Sequence, residues 1–207
     1  MIGKLKNLFN LKKTTEPDIH EKIDAKFSEL GGDTISIEIG DDLIDFGELL
    51  CSIVENVRTD INKKLGFIMP AVHIFNNCDL QENEYVIYIH GKQVEHDFII
   101  PNIEGIEGIY DKLKNAVLKN ISSVFTNEIT EKYIDTVQKN NGWLIYSLFC
   151  KITPPEIRTI LTDILNSGHS IKNIHYIFEK IGDKVLVDNK YCDTNPHKIS
   201  KEIIKEL

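Results

Sequence analysis

The chain has 207 residues, enough for one sizeable domain or two small ones. Its 42% hydrophobic and 27% charged content is that of an ordinary globular protein, and its formal net charge of -8 argues against a general nucleic-acid binder, which needs a basic footprint to neutralise phosphates. The cysteines Cys51, Cys78, Cys150 and Cys192 lie far apart without a CxxC pair, which points to free thiols in a reducing compartment. No stretch is apolar for long enough to span a bilayer, and lysines interrupt the first apolar residues where a signal peptide would stand.

Residues Met1 to Lys13 carry lysines and no acid. Ile2, Leu5, Leu8 and Phe9 share one helical face, with Lys4, Lys6, Lys12 and Lys13 elsewhere. A short basic amphipathic helix of this kind can lie on an anionic membrane, and Lys4, Leu5, Leu8, Phe9, Lys12 and Lys13 are its candidate membrane-contact residues; a solvated tail is the plainer reading. Thr14 to Pro17 reads as a linker, and Asp18 to Leu30 as a short helix closed by Gly31 and Gly32.

Thr34 to Ile39 alternates as a strand. Asp41, Asp42 and Asp45 bracket Leu43 and Ile44 in what reads as a solvated turn rather than a magnesium site. Glu48 to Leu65 is a helix whose stripe of Leu50, Ile53, Val54, Val57, Ile61 and Leu65 faces a core; Lys63 and Lys64 suit its last turn and Gly66 its end. After Pro70 come an apolar strand, Ala71 to Phe75, a polar turn, Asn76 to Glu84, and a second strand, Tyr85 to His90, stopped by Gly91.

Gln93 to Gly108, with Pro101, Gly105 and Gly108, reads as too punctuated for a long element. Helical stripes then follow: Ile109, Leu113, Ala116 or Val117, Ile121 and Val124, and next Ile129, Tyr133, Ile134 and Val137 within Asn127 to Lys139. Trp143 to Cys150 reads as one short buried helix. Thr153-Pro154-Pro155-Glu156 has the form of a capping box that starts a helix with Ile157, Ile160, Leu161, Ile164 and Leu165 inward, ending at Gly168. Ser170 is the expected cap of the next helix, with Ile171, Ile174, Ile177, Phe178 and Ile181 inward and Gly182 at its end. A last helix starts near Asn195-Pro196 and carries Ile199, Ile203 and Ile204. The fold class is α+β: a small α/β subdomain with a short mixed sheet and covering helices, then an all-helical subdomain. The expected division is 1–17 tail and linker, 18–126 α/β, and 127–207 helical.

Catalytic signatures are missing. His73, His90 and His96, near Cys78 and Asp79, lack the HxxxH or CxxC spacing that sets two ligands on one metal; His169, His175 and His197 are scattered. There is no GxSxG elbow and neither GxxxxGK[ST] nor GxGxxG. The residues therefore point away from an enzyme, and to no metal or other cofactor. The helices on either side of Asn166 to Ser170 have the outline of a helix-turn-helix. Glu156, Asp163 and Glu179 cancel Arg158, Lys172 and Lys180, so a packing hairpin is favoured over a DNA reader.

Leu65-Gly66-Phe67-Ile68-Met69-Pro70, Val72-His73-Ile74, Asn77, Leu80, Asn83-Glu84-Tyr85-Val86-Ile87, Gly91 and Val94 occur in an order that resembles the FHIPEP family, the large export-gate proteins of flagellar and virulence type III secretion. Ile35 to Gly40 with Leu43-Ile44 is similar to the strand that opens the family's cytosolic region, and Leu161 to Lys180 and Asn195-Pro196-His197 are similar to its helical subdomain. The likeness covers most of Thr34 to Leu207 and is weak between Glu95 and Gly142. By this resemblance the chain would be a truncated piece of the cytosolic region, without the transmembrane half, the subdomain inserted after Val94 or the last subdomain. Phe75-Asn76-Asn77 stands where the family commonly reads Arg-Asp-Asn.

The resemblance implies a bacterial, non-enzymatic interaction module that docks export-apparatus subunits or export chaperones and can form a homo-oligomer, since family members form rings. Its expected location is the cytoplasm, at the inner face of the cell membrane if the tail binds there. The loop after the apolar strand supplies the candidate partner-binding residues Phe75, Asn76, Asn77, Asp79, Gln81 and Asn83. Two other readings stand beside it: a cytosolic or membrane-surface scaffold unrelated to export, and a helix-turn-helix regulator.

Overall fold

A computed structural model describes residues 32–186 and 194–207. The chain divides into two units, Met1–Gly32 and Asp33–Leu207. The tail, with Lys4, Leu5, Leu8, Phe9, Lys12 and Lys13, the linker and the helix expected over Asp18 to Leu30 lie outside the described residues.

Strand β1, Ile35–Ile39, is an inner strand of the sheet in the second unit. A 3-10 turn over Asp41–Phe46 follows, where the three aspartates are exposed and Leu43 is buried. It leads into helix α1, Gly47–Leu65. All six residues of the expected stripe are buried, and Gly66 ends the helix in the left-handed region, φ 70°. A side chain there would be strained, so the αL end explains this glycine.

Strands β2, Val72–Asn76, β3, Glu84–Ile89, and β4, Lys92–Phe98, complete a four-stranded sheet of order β2-β1-β3-β4. β1 and β2 are parallel around α1; the other pairs are antiparallel. Ile35, Ile37 and Ile39 share a face with Tyr85, Ile87 and Ile89, and that face is packed into the core with α1.

β4 corrects the expectation of an irregular run after Gly91. His90 and Gly91 both have positive φ, 49° and 71°, as a two-residue hairpin turn of the primed class requires. The strand escaped a hydrophobic pattern because Glu95 and Asp97 lie on its core-side register, opposite Ile87 and Tyr85. Lys112 pairs with both, at 3.0 and 3.2 Å.

After β4 every described element is a helix: α2 Ile103–Glu107, α3 Ile109–Lys119, α4 Ile121–Val124, α5 Asn127–Asn140, α6 Gly142–Phe149, α7 Pro154–Asn166, α8 Ile174–Val185 and α9 Pro196–Ile204. The stripe from Ile109 to Val124 is buried but falls on two helices, because Asn120 leaves helical geometry and its amide donates to the Ala116 carbonyl at 2.8 Å. The capping box at Thr153 forms: Glu156 accepts from the Thr153 N–H at 2.7 Å and from its hydroxyl at 2.8 Å.

Three further expectations change. α8 starts at Ile174 rather than after Ser170, since Ile171 N–H is spent on the Leu65 carbonyl at the end of α1, 2.7 Å away. It also continues through Gly182 to Val185, so that glycine is a close-packing position facing Leu144 and not a helix stop. And α6 is not buried all round. Leu144, Ile145 and Leu148 point inward, while Trp143, Tyr146 and Phe149 are 74%, 73% and 45% exposed.

A stack of Phe67, Phe125 and Tyr133 joins the sheet end of the unit to its helical part, with ring centroids 5.5 and 5.6 Å apart. One hydrophobic cluster runs from Ile35 to Ile203 through all of it.

Candidate docking surface at one end of the sheet

β1 and β2 run in the same direction, so their C-terminal ends meet at one end of the sheet, where β3 begins and β4 finishes. The loop from Asn77 to Asn83 crosses that end and is tied down residue by residue. Asn77 N–H donates to the Ile39 carbonyl at 2.9 Å, and its side-chain amide donates to Glu38 at 2.7 Å. Its side-chain oxygen accepts the Asp79 N–H at 2.9 Å, an Asx turn. The Asn83 carbonyl accepts from Ile99 N–H at 3.0 Å.

Gly40 makes the fit possible. A Cβ there would fall 1.9 Å from the Gln81 carbonyl oxygen, so the loop crosses directly over bare backbone. Gly40 N–H and Asp42 N–H donate to the Glu84 and Glu82 carbonyls, both at 2.8 Å.

Glu84 secures the other flank. Its carboxylate accepts the Gln81 N–H at 2.8 Å and meets His96 Nε2 at 2.7 Å. The Gln81 N–H holds this carboxyl below its ordinary range, with the His96 contact acting in the same direction against the cost of desolvation.

Of the residues expected to bind a partner, Phe75, Asn76, Asp79 and Gln81 are exposed, and Asn77 and Asn83 are half-buried. The Asn77 side chain is spent on scaffolding. Phe75 is 45% exposed on the sheet face opposite the core, in the cross-strand row Phe75–Glu38–Val86–His96. Phe98 is 44% exposed on the same face but on β4 at the opposite edge of the sheet, and the His96 ring lies edge-on to it at 5.3 Å between centroids. The sequence pattern does not predict β4, so it leaves His96 and Phe98 out of this surface; their alternation with Asp97 is the signal that places them there.

Among the described residues β2 is an edge strand. The bond from Asn77 N–H to Ile39 fixes the ladder's phase, so the backbone groups of Val72, Ile74 and Asn76 point away from β1 along an edge that no other described strand pairs. Such an edge can accept another strand through main-chain hydrogen bonds, with side chains on alternate faces adding selectivity.

The histidines separate. His73 pairs with Asp33 at 2.5 Å, His90 contacts the Ser123 carbonyl at 3.0 Å, and His197 meets Asp163 at 2.8 Å. No metal-holding cluster of His, Cys, Asp and Glu occurs among the described residues. In the helix pair α7–α8, Ile174, Ile177, Phe178 and Ile181 are buried in the core and α8 turns Glu179 and Asp183 outward, a negative face where a DNA reader needs a positive one.

Residues 6–104 match the family model described as the FHIPEP family. The FHIPEP resemblance holds. The match begins earlier than the motifs quoted above and ends before the helical half. FlhA, a flagellar biosynthesis protein of Borreliella burgdorferi, is 21% identical over 202 residues, covering 73% of this chain and 29% of that protein. FlhA of Buchnera aphidicola subsp. Schizaphis graminum is 40% identical over 68 residues, 30% of this chain and 10% of that protein. The chain thus spans less than a third of either FHIPEP relative.

Among solved structures, Shigella flexneri MxiA superposes with a TM-score of 0.63 at 15% identity, over 84% of this chain and 64% of that one. Chlamydia pneumoniae CdsV, solved in complex with CdsO, gives 0.70 at 12% identity over 82% and 63%. Nonameric SctV-C gives 0.67 at 11% identity over 84% and 66%. The chain therefore has the fold of these proteins well beyond residue 104. The motif Leu65 to Pro70, part of the FHIPEP likeness, is a structural joint. Gly66 turns the chain, Phe67 and Met69 are buried, and Tyr133 clasps the backbone between them. No helix among the described residues is long and apolar enough to cross a membrane.

Proposed function

We propose that this chain is a non-enzymatic protein–protein interaction module of a flagellar or type III export apparatus, and that it docks partners at the loop end of its sheet. The observation that carries this reading is the conjunction of the family match over residues 6–104 with a loop tied by backbone hydrogen bonds that leaves Asp79 and Gln81 outward beside the exposed Phe75 of β2. A loop held by backbone contacts to Gly40, Glu84 and Ile99 is ordered before binding, so little entropy remains to be lost on docking. The partners are export-apparatus subunits or export chaperones. Oligomerisation is part of the proposal and is supported by the nonameric state of SctV-C. Its location is the cytoplasm, at the membrane face if the lysine-rich tail binds there. Residues 18–126 form the docking part and 127–207 its helical support.

The test is affinity purification of the tagged full chain from its own organism, with membrane and soluble fractions analysed separately by mass spectrometry. Enrichment of export-gate subunits, an export ATPase or export chaperones is the expected result. Reproducible recovery of partners from an unrelated process would overturn the assignment and leave only the shared fold.

A further inference from the structure

A second surface lies on the helical part of the unit, on elements that the sheet-end reading does not use. We propose that the cleft between α6 and α8 docks a cationic amphipathic segment of a partner protein, one that presents lysine or arginine beside an apolar side chain.

α6 has only eight residues, and every third one from Trp143 is an exposed aromatic. Leaving Trp143 74% and Tyr146 73% exposed on one short helix is costly in water, and contiguous apolar surface of this kind marks a contact site. Beside Trp143 is an open cleft of about 370 Å³ that Leu144, Gly182 and Leu186 also line. Gly182 lets α6 and α8 approach closely here: a Cβ at this position would stand 3.0 Å from the Leu144 Cδ1.

The rim is negative. Glu179 and Asp183 line the α8 side of the cleft, one helical turn apart. Glu179 has no ion pair or hydrogen bond among the described residues, and Asp183 meets only Lys180, at 3.4 Å. Lys180 is held more closely by Glu206, at 3.1 Å, and Lys184 by the same carboxylate at 2.7 Å. The lysines of α8 are thus drawn to the α9 flank, and the cleft keeps its carboxylates. A cation from outside would meet Glu179 and Asp183 beside Trp143, with a neighbouring apolar side chain on Leu144 and Leu186. The same carboxylates repel an anionic lipid surface, which favours a protein segment over a membrane as the occupant.

Trp143 is the only tryptophan of the chain, so its emission reports on this cleft alone. The full chain is titrated with a synthetic lysine/leucine amphipathic helical peptide and, separately, with the matching glutamate/leucine peptide. The cationic peptide is expected to shift Trp143 emission to the blue and saturate, and the acidic one to leave it unchanged. Glu179→Lys with Asp183→Lys should weaken the cationic peptide about tenfold or more, and Asp41→Lys with Asp42→Lys, the same charge change on exposed residues elsewhere, should weaken it far less. Tyr146→Ser, on the exposed face, gives a second loss that does not alter charge. Equal weakening by the two double variants, or equal response to the two peptides, would overturn the proposal. So would sedimentation showing self-association that Tyr146→Ser abolishes, because the occupant would then be a second copy of the chain.

Discussion

The phenol of Tyr133 on α5 grips the chain at Gly66, donating to the Gly66 carbonyl at 2.6 Å and accepting the Ile68 N–H at 2.9 Å. Through this one hydroxyl a helix of the later half fixes the joint by which α1 enters β2. Tyr133→Phe keeps the ring stack and removes both bonds, leaving a part-buried N–H and a carbonyl without their partner. A loss of about 1–3 kcal/mol is expected in urea denaturation, with the circular dichroism spectrum unchanged. A loss below the error of the measurement would mean that water replaces the phenol at no cost.

Gly40→Ala tests the crossing of the loop. The backbone there has φ -75°, which alanine adopts freely, so any cost comes from the methyl meeting the Gln81 carbonyl. Overpacking of this kind costs about 1–3 kcal/mol. Because the obstacle is the loop's own backbone, the Asn77 to Glu84 amides should also exchange faster in hydrogen-exchange measurements.

Tyr85 is 1% exposed, and burial raises its phenol from 10.0 to about 12. A group whose folded pKa is raised contributes stability that is whole below the unfolded value and is lost as pH rises through the folded one. Stability should therefore fall between pH 10 and about pH 12. Tyr85→Phe should flatten that part of the profile, read by denaturation midpoints across the range.

Glu84 has the opposite sign. Its folded pKa is lowered, first by the Gln81 N–H, so its contribution is present above the unfolded value of 4.5 and is lost as pH falls through the folded one. Acid should loosen the Gln81 end of the loop before the core opens. Exchange at Gln81 is expected to rise with falling pH in the native chain, after correction for intrinsic rates, and to depend less on pH in Glu84→Gln.

Much of this architecture is legible from residue order. The α1 stripe, the glycine at 66, the capping box at Thr153 and the two apolar strands each follow from local chemistry that tertiary contacts reinforce. β4 escaped because a lysine on α3 satisfies Glu95 and Asp97, and pairing of that kind leaves no hydrophobic period. The outward aromatics of α6 escaped because an apolar segment eight residues long reads as buried by composition; only the spacing of Trp143, Tyr146 and Phe149 distinguishes the two. The docking loop was visible as a loop. Its rigidity was not, since that depends on Gly40 and Ile99, remote in sequence from Gln81 and Asn83.

The most direct measurement is a paired affinity purification from the native organism, using the tagged chain and a variant with Phe75→Ser and Gln81→Ala. Both side chains are exposed, so the variant should fold with the thermal midpoint of the native chain. The expected result is that export-apparatus partners recovered with the native chain are depleted about tenfold or more with the variant, the loss typical of removing an anchoring aromatic. Equal recovery of the same partners by both chains would contradict docking at the sheet end.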